Sequence, residues 1–434
     1  MSHWQESYLT KKVDARTALA AIKSGDNLII GSCCSEPQTL IETLVEMSDR
    51  WEGLTLFTMV LGSPCLYARP ELAPHMRVNT ILPYPPMRES LASGQVIYHP
   101  YYLSQVPTFI NSGVIPADVT LLQISPPDSR GNCSMGISVD FLPAAIGRSR
   151  LVIAEVNDQV PFTLGQGIIH VSKIDYIVET SRPLLQVIDE MCADQDILEA
   201  VAANVSQLVD DGATIQIGIG SLPNAIIRAL KLKKNLGIHS GMISDGITDL
   251  VEMGVVNNSC KTINRGKIIT TVILGTEKIY NWAKWNPILE MHPVEYTHNF
   301  SVITKISQFT AINSAFQVDL TGQVNAETIN GRQVSAVGGQ VDFMSAATCS
   351  PAGKAIIALR SATGDAVTSR IVARLGQGEA VSTPRSYVDY VVTEYGIAVL
   401  KGKSINSRAK ELIKVAHPKF RAELEEFRQQ YYPG

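Results

Sequence analysis

The chain carries a short glycine loop of the kind that brings main chain close to a ligand. Gly218-Ile219-Gly220 follows an apolar, strand-like run and precedes a helix-like segment that contains Pro223. Glycine permits positive φ and close approach of the backbone to a bound group, and the N-terminus of the following helix favours an anion. The loop therefore predicts ligand binding, with a glycine needed only for packing as the alternative.

A glycine pair and a carboxylate later in the chain are further candidates. Gly338 and Gly339 are consecutive, so they either present N–H groups to a carbonyl or phosphate oxygen or form a tight turn. Glu394 ends a strongly apolar run. Its carboxylate is either a loop cap or a group turned into a cleft.

The cysteines and histidines give no metal site by their spacing. The seven cysteines include no Cys-x-x-Cys pair, and the eight histidines include no pair at helical spacing. We therefore expect chemistry without a metal. Cys33 and Cys34 lie in a glycine-flanked loop, where one of them is a candidate nucleophile, although burial as a small apolar side chain is the commoner use of cysteine.

The elements that must position these residues are short apolar strands that alternate with helices. The predicted strands cover 27–30, 54–60, 119–124, 150–154, 214–217, 266–273, 355–359 and 387–392. The predicted helices cover 38–47, 197–209 and 407–428, the last one split by Pro418. Almost wholly apolar strands separated by helices are typical of parallel sheets that are covered on both faces. The predicted fold class is α/β.

A weak internal repeat indicates two similar domains. The segment from Gly25 to Gly31 leads to Pro37 and a helix, and the segment from Gly212 to Gly218 leads to Pro223 and a helix. A chain of 434 residues is also too long for one typical core. We predict an N-terminal domain over 1–192 and a C-terminal domain over 193–434. Ligands of such open sheets usually bind beyond the carboxyl ends of the strands.

The composition excludes several classes of protein. The net charge is −4, and no basic run suggests nucleic acid or a membrane surface as a partner. The first residues contain no apolar stretch typical of a signal peptide, and no segment has about 18 uninterrupted apolar residues. We therefore expect a cytoplasmic protein whose partners are small molecules.

Five segments in the second half together resemble the acetyl-CoA hydrolase/transferase family, the class I branch that includes 4-hydroxybutyrate, butyrate and acetate CoA-transferases. The segments are Gln216 to Gly220 with Pro223, His239 to Gly246, Ala311 to Gln323, Gly338 to Phe343, and Val392 to Gly396 with the stretches after it. Ser125 to Asp128 and Gly131 to Gly136 fit in the first half. The resemblance spans about residues 10–425.

The resemblance implies two similar open α/β domains with the active site between them, CoA thioesters as substrates, and a homodimer or homotetramer. By the same resemblance, Gly218, Ile219 and Gly220 match a loop that closes over the acyl group. Other positions match the CoA and oxyanion region (Gly338, Gly339), a carboxylate close to the nucleophile (Glu394), a common asparagine (His298), and the acyl pocket (Gly31, Val60, Leu61, Pro85).

The chain departs from this family at one decisive position. Gly241 stands where the family usually has a glutamate, which attacks the thioester to give an acyl-glutamyl anhydride and then an enzyme thioester. Three explanations stay open: another carboxylate has taken the role, water attacks with help from Glu394 or His239, or CoA esters are bound without catalysis. The candidate carboxylates are Glu36, Glu89, Asp245 and Glu394. The space left by the missing glutamate is expected to admit a water or a bulkier acyl group.

The leading hypothesis is a CoA-transferase that moves CoA between a small or medium acyl-CoA and a carboxylic acid by a route without a glutamate at position 241. The first alternative is an acyl-CoA hydrolase or another lytic enzyme on the same scaffold, with coenzyme A as substrate or product in each case. The second alternative is a non-catalytic protein that binds CoA esters.

Overall fold

The computed structural model describes residues 2–188, 194–364 and 366–433, which form two compact units. The first unit contains the described residues up to Ile188 and the segment Ile269–Thr297, and the second contains the other described residues. The boundary predicted between residues 192 and 193 lies outside the described residues. The sequence did not predict that Ile269–Thr297 packs with the first unit.

Main-chain hydrogen bonds explain why Ile269–Thr297 packs with the first unit. The amide of Met291 donates to Leu164 over 2.8 Å, and the amide of Gln166 donates back to Met291 over 2.8 Å. Trp285 donates to the carbonyl of Phe162, and their rings stack with centroids 3.9 Å apart. Such exchanges satisfy backbone groups that would otherwise be buried without partners.

The first unit is built on a parallel sheet of seven strands within the described residues. The strands in chain order are β1 (Asn27–Ile30), β2 (Leu54–Thr58), β3 (Met76–Thr80), β4 (Val96–Tyr98), β5 (Val119–Ile124), β6 (Leu151–Asn157) and β7 (Tyr176–Thr180). Their order across the sheet is β4-β3-β2-β1-β5-β6-β7. Every residue of β5 and β6 is buried, as expected for central parallel strands covered on both faces.

Helices cover this sheet and supply its core. The helices of the first unit are His3–Lys11, Ala15–Leu19, Gln38–Glu46, Arg88–Ser93, Val106–Ser112, Leu142–Arg148, Glu277–Ala283 and Val294–Thr297. In Gln38–Glu46, Leu40, Ile41 and Leu44 are buried, which is the spacing of one apolar helix face. They join a core with residues of the central strands such as Leu28 and Leu121.

The second unit has a six-stranded sheet within the described residues. The strands in chain order are β8 (Thr214–Ile217), β9 (Gly237–Ile238), β10 (Phe309–Ser314), β11 (Lys354–Ala358), β12 (Tyr390–Thr393) and β13 (Gly396–Val399). Their order is β9-β8-β10-β11-β12-β13, with all pairs parallel except β12 and β13. The loops after β8, β9, β10, β11 and β12 therefore leave the same edge of the sheet.

The helices of the second unit include both helices predicted near the C-terminus. They are Gln195–Leu208, Ser221–Ala229, Asp245–Glu252, Phe300–Ile303, Gln340–Cys349, Ile405–Val415 and Arg421–Tyr431. Pro418 lies between the last two helices, as predicted, because proline cannot continue the hydrogen-bond ladder of a helix. In the described part of the chain, no helix has both the length and the apolar character needed to cross a membrane.

The predicted repeat is present as a strand, a loop and a helix in each unit. In the first unit, β1 leads to a short turn at Cys33–Ser35 and then to the helix Gln38–Glu46, with Pro37 immediately before it. In the second unit, β8 leads through Gly218 and Gly220 directly into Ser221–Ala229, with Pro223 in its first turn. The two loops differ because the first contains an additional turn.

One predicted strand is wrong. Residues 266–273 form two short strands, Ile268–Thr270 and Val272–Ile273, and not a continuous one. Thr271 interrupts them because its carbonyl accepts from the amide of Val139 and its Oγ1 accepts from the amide of Asp140. The other short strands are Asn132–Ser134, Ile168–His170, Met242–Ile243, Leu289–Met291, Gln317–Asp319, Val324–Asn325, Thr328–Ile329, Arg332–Gln333 and Ile371–Val372.

Candidate active site

The second unit brings Gly241, His298 and Gly339 together. Gly241 lies in the loop after β9, and Gly339 lies directly before the helix Gln340–Cys349. A Cβ atom built on Gly241 would lie 2.9 Å from both Cε1 and Nε2 of His298 and 3.3 Å from Cε2 of Phe343. A Cβ on Gly339 would lie 2.5 Å from Nε2 and 2.6 Å from Cδ2 of the same imidazole. The ring therefore packs directly against both glycines.

Burial fixes the protonation state of His298. The side chain is buried, and its ring lies against the ring of Phe343 with centroids 4.5 Å apart. This loss of solvent lowers the pKa of His298 to about 3, because the charged form is disfavoured away from water. At neutral pH the site therefore contains a neutral imidazole, which can donate or accept a hydrogen bond but carries no charge.

The space beside Gly241 is not vacant. The sequence analysis expected room there for a water or a larger acyl group, and that expectation is wrong in the second unit. The imidazole of His298 lies 2.9 Å from the position that a Cβ at residue 241 would take, so even an alanine there requires the ring to shift. The error arose because the sequence gives no measure of which later residue packs over the loop after β9.

His239 lies in the same loop but belongs to the interior. Its side chain is 0% exposed, and its ring meets the ring of Phe309 edge-on with centroids 6.3 Å apart. Its amide donates to the carbonyl of Ile215, which extends the pairing of β9 with β8. This environment is that of a packed core histidine, and a role for His239 in activating water stays a prediction.

Glu394 lies in a second cluster, at the end of β12. Its carboxylate accepts from Ser361, with the amide at 3.0 Å from Oε2 and the hydroxyl at 2.5 Å from Oε1. Arg360 forms an ion pair with Asp194. The pKa of Arg370 is lowered by burial and by the charge of Arg360, whereas the charge of Glu394 opposes this shift. The structure thus groups Glu394 with two arginines.

The same two arginines line a cavity of about 490 Å³ in the second unit. Gly220 and Ser221, at the start of the helix Ser221–Ala229, form another part of its wall, together with Gln340. Guanidinium groups and a helix N-terminus both attract anions. The cavity is therefore suited to a phosphate or a carboxylate. The sequence analysis missed both arginines, although Arg360 closely follows a predicted strand, and that position was a usable signal.

Close packing does not require glycine at three positions of the predicted loops. A Cβ on Gly218, Gly220 or Gly338 would meet no atom within 4 Å. Gly220 and Gly338 adopt φ of 108° and 53°, where a side chain is strained, but Gly218 has no such restriction. Gly218 is thus free of both packing and backbone constraints within the chain.

The predicted acyl-pocket residues lie in the first unit. Val60 is fully buried in its core, and Gly31 packs so closely that a Cβ would lie 2.9 Å from the carbonyl oxygen of Ser35. Leu61 is half-buried and accepts a hydrogen bond from the Cys34 thiol, whereas Pro85 is exposed. Val60 fits the core alternative, and the acyl-pocket assignment stays a prediction.

The other candidate groups of the first unit differ in exposure. Cys33 and Cys34 are buried, and burial raises the pKa of Cys34 to about 12, which keeps its thiol protonated at neutral pH. Glu36 is also buried, accepts from Ser63, and has its pKa raised by burial to about 7. Glu89 is exposed. Neither cysteine resembles an ionised nucleophile at neutral pH, and a catalytic role for Glu36 stays a prediction.

The remaining candidate carboxylate, Asp245, is the first residue of the helix Asp245–Glu252 in the second unit. An acidic side chain at this position is stabilised by the helix dipole, so a structural role accounts for it. Across residues 2–188, 194–364 and 366–433, no group of three or more His, Cys, Asp or Glu side chains has a geometry that could hold a metal ion.

Known proteins share both the sequence and the fold of this chain. Residues 1–189 match the acetyl-CoA hydrolase/transferase N-terminal domain, and residues 275–427 match the acetyl-CoA hydrolase/transferase C-terminal domain. The chain is 44% identical over 429 residues to 4-hydroxybutyrate coenzyme A transferase of Clostridium kluyveri, which covers 99% of this chain and 100% of that protein.

Two solved structures show the same architecture. RipA from Yersinia pestis superposes with a TM-score of 0.94 at 30% identity, over 100% of both chains. A 4-hydroxybutyrate CoA-transferase from Porphyromonas gingivalis gives a TM-score of 0.86 at 33% identity, over 99% of this chain and 100% of that one. Together with the matches along both halves of the sequence, these similarities establish that the chain belongs to the acetyl-CoA hydrolase/transferase family.

Proposed function

We propose that this protein moves CoA between a small or medium acyl-CoA thioester and a carboxylic acid, by a route that does not use a glutamate at position 241. Membership of the family and the names of its relatives support CoA thioesters as the substrate class. The similarity to 4-hydroxybutyrate CoA-transferases favours a short acyl chain.

The observation that carries the unusual part of this proposal is the pairing of Gly241 with His298. Glycine has no carboxylate, so it cannot form an acyl anhydride. The neutral imidazole of His298 lies 2.9 Å from the position of a Cβ at residue 241. Another group must therefore accept the acyl group or orient the molecule that accepts it.

The cavity lined by Arg360 and Arg370 supports the anionic half of the proposal. CoA carries phosphates, and both the acceptor and the product are carboxylates. Arg370 and the N-terminus of Ser221–Ala229 offer hydrogen bonds to such groups, whereas Arg360 is already paired with Asp194. Binding energy from this remote part of the substrate can be used at the reacting carbonyl.

The test is a measurement of CoA exchange with a panel of acyl-CoA esters, each with and without acetate or succinate. Formation of the second acyl-CoA only when an acceptor acid is present supports the transferase. Absence of a second acyl-CoA with every combination of ester and acid contradicts it. Arg77→Ala, on β3 of the first unit, provides a surface-charge control for purification and folding.

Hydrolysis is the second candidate, and the same pairing favours it. Without a carboxylate at position 241, no enzyme anhydride can be trapped there, so water is the simplest remaining acceptor for the acyl group. Hydrolysis predicts free thiol at the same rate with and without acetate. Saturable binding of acyl-CoA with neither exchange nor thiol release would instead identify a binding protein.

A further inference from the structure

The contact between His298 and Gly241 has a defined atomic basis. Gly241 does not adopt positive φ, so its backbone conformation would accept a side chain. The atoms nearest to a built Cβ all belong to side chains, namely the imidazole of His298 at 2.9 Å and Phe343 at 3.3 Å. The requirement for glycine at this position is thus created by the neighbouring rings and not by the main chain.

We propose that Gly241 and His298 are a coupled pair that determines which reaction the site performs. The imidazole lies 2.9 Å from the position of a Cβ at residue 241, which is too close for a side chain to be added without a shift of the ring. We infer that a glutamate works there only if His298 is also replaced by a shorter side chain. This inference rests on the proposed function, because it names the residue that closes the glutamate route in an acyl-CoA enzyme.

The chemistry of a shorter side chain makes the coupling specific. The two imidazole atoms in contact with the built Cβ are Cε1 and Nε2, at the far end of the ring. Asparagine ends at its amide oxygen and nitrogen, which correspond to the nearer ring positions, and it has no atoms that correspond to Cε1 or Nε2. His298→Asn therefore removes the obstructing atoms and keeps a polar group near Gly339.

The neutral state of His298 separates its chemistry from that of a carboxylate. A glutamate attacks the thioester carbonyl, the C–S bond breaks, and the electron pair leaves with the CoA thiolate, which gives an acyl-glutamyl anhydride. The thiolate then attacks the glutamyl carbonyl and releases the first acid, which leaves CoA on the enzyme as a thioester. The uncharged imidazole in this space cannot form that enzyme thioester.

The experiment compares wild type, Gly241→Glu, His298→Asn and the double variant in a double-mutant cycle. Gly241→Glu alone should lower the unfolding temperature by roughly 2–10 °C, because it overpacks a filled site. The double variant should recover most of that loss. Incubation of the double variant with acyl-CoA should then give an enzyme thioester, which intact-mass analysis detects and borohydride removes. Its yield should be at least ~10-fold higher than in Gly241→Glu alone.

A matched control is the pair Gly241→Gln and His298→Asn. Glutamine has the size of glutamate but no carboxylate, so this variant should recover stability without any enzyme thioester. Additive unfolding temperatures in the cycle, or a full yield of thioester from Gly241→Glu alone, would overturn the coupling. The unfolding cycle needs no substrate. It therefore separates failure of the coupling from failure of the proposed function. If only the proposed function fails, wild type is inactive toward every acyl-CoA, but the unfolding temperatures in the cycle are still non-additive.

Discussion

Gly218→Ala tests whether the loop after β8 approaches a ligand. A Cβ at this position would meet no protein atom within 4 Å, and its φ is not positive. The native state should therefore lose nothing, and the unfolded chain loses conformational freedom when glycine becomes alanine. That difference stabilises proteins by about 0.4–1 kcal/mol. The expected shift in unfolding temperature is zero to about +4 °C for a domain of this size.

The effect on ligand should be the opposite. If the backbone of the loop closes onto the acyl-CoA, one methyl group in the contact costs about 1–3 kcal/mol of binding, which corresponds to roughly 5- to 150-fold in affinity. The assays are thermal unfolding, measured with and without CoA ester, and titration of the same ester. We expect stability at least equal to wild type together with weakened binding.

Gly147→Ala is the matched control, because Gly147 also has open space at its Cβ and no positive φ. It is an exposed residue of the helix Leu142–Arg148 in the first unit. It should raise stability without changing ligand binding. A fall of several degrees for Gly218→Ala would refute the open-space argument. Unchanged ligand affinity would show that the loop does not approach the substrate.

Three further predictions concern charge. The pKa of His298 is lowered to about 3 in the folded chain, so its contribution to stability is present above about pH 6.5 and is lost as pH falls toward 3. His298→Asn should therefore reduce the fall in unfolding temperature between about pH 6.5 and about pH 3. Burial raises the pKa of Glu36 to about 7, so its contribution is full below about pH 4.5 and is lost as pH rises through 7. Glu36→Gln should therefore be relatively more stable at about pH 8, and an unchanged pH profile would contradict the buried-acid assignment. Arg370→Gln should raise the KM for CoA esters by roughly 10- to 100-fold, because it removes one charge-assisted hydrogen bond. The unfolding temperature is the control for folding, and an unchanged KM would show that this arginine does not bind the substrate.

Periodicity and apolar runs were enough to predict the parallel strands and several helices. β1, β5 and β8 have the bounds predicted from their sequence, because a largely apolar run of four to six residues flanked by turns has few alternatives in an α/β chain. The split by Pro418 was likewise predictable, since proline acts locally. These are features that depend on neighbouring residues in the chain.

Features that depend on distant residues were not predictable. Thr271 interrupts a predicted strand because its partners are Val139 and Asp140, more than a hundred positions earlier. The two arginines near Glu394 became visible as a group only after β11 and β12 were placed side by side. No local pattern contains this information, because parallel pairing brings together loops from separate parts of the sequence.

The packing beside Gly241 bears on whether this site has only lost a glutamate nucleophile or is built for a different reaction. Removing a buried side chain without compensation leaves a cavity, and its cost grows with the volume left empty. Here the neutral ring of His298 packs against Gly241, Gly339 and Phe343, so no such cost arises. A packed site of this kind is compatible with a stable protein that has a different reaction. Under the coupling proposed above, changing either Gly241 or His298 alone should not open a glutamate route.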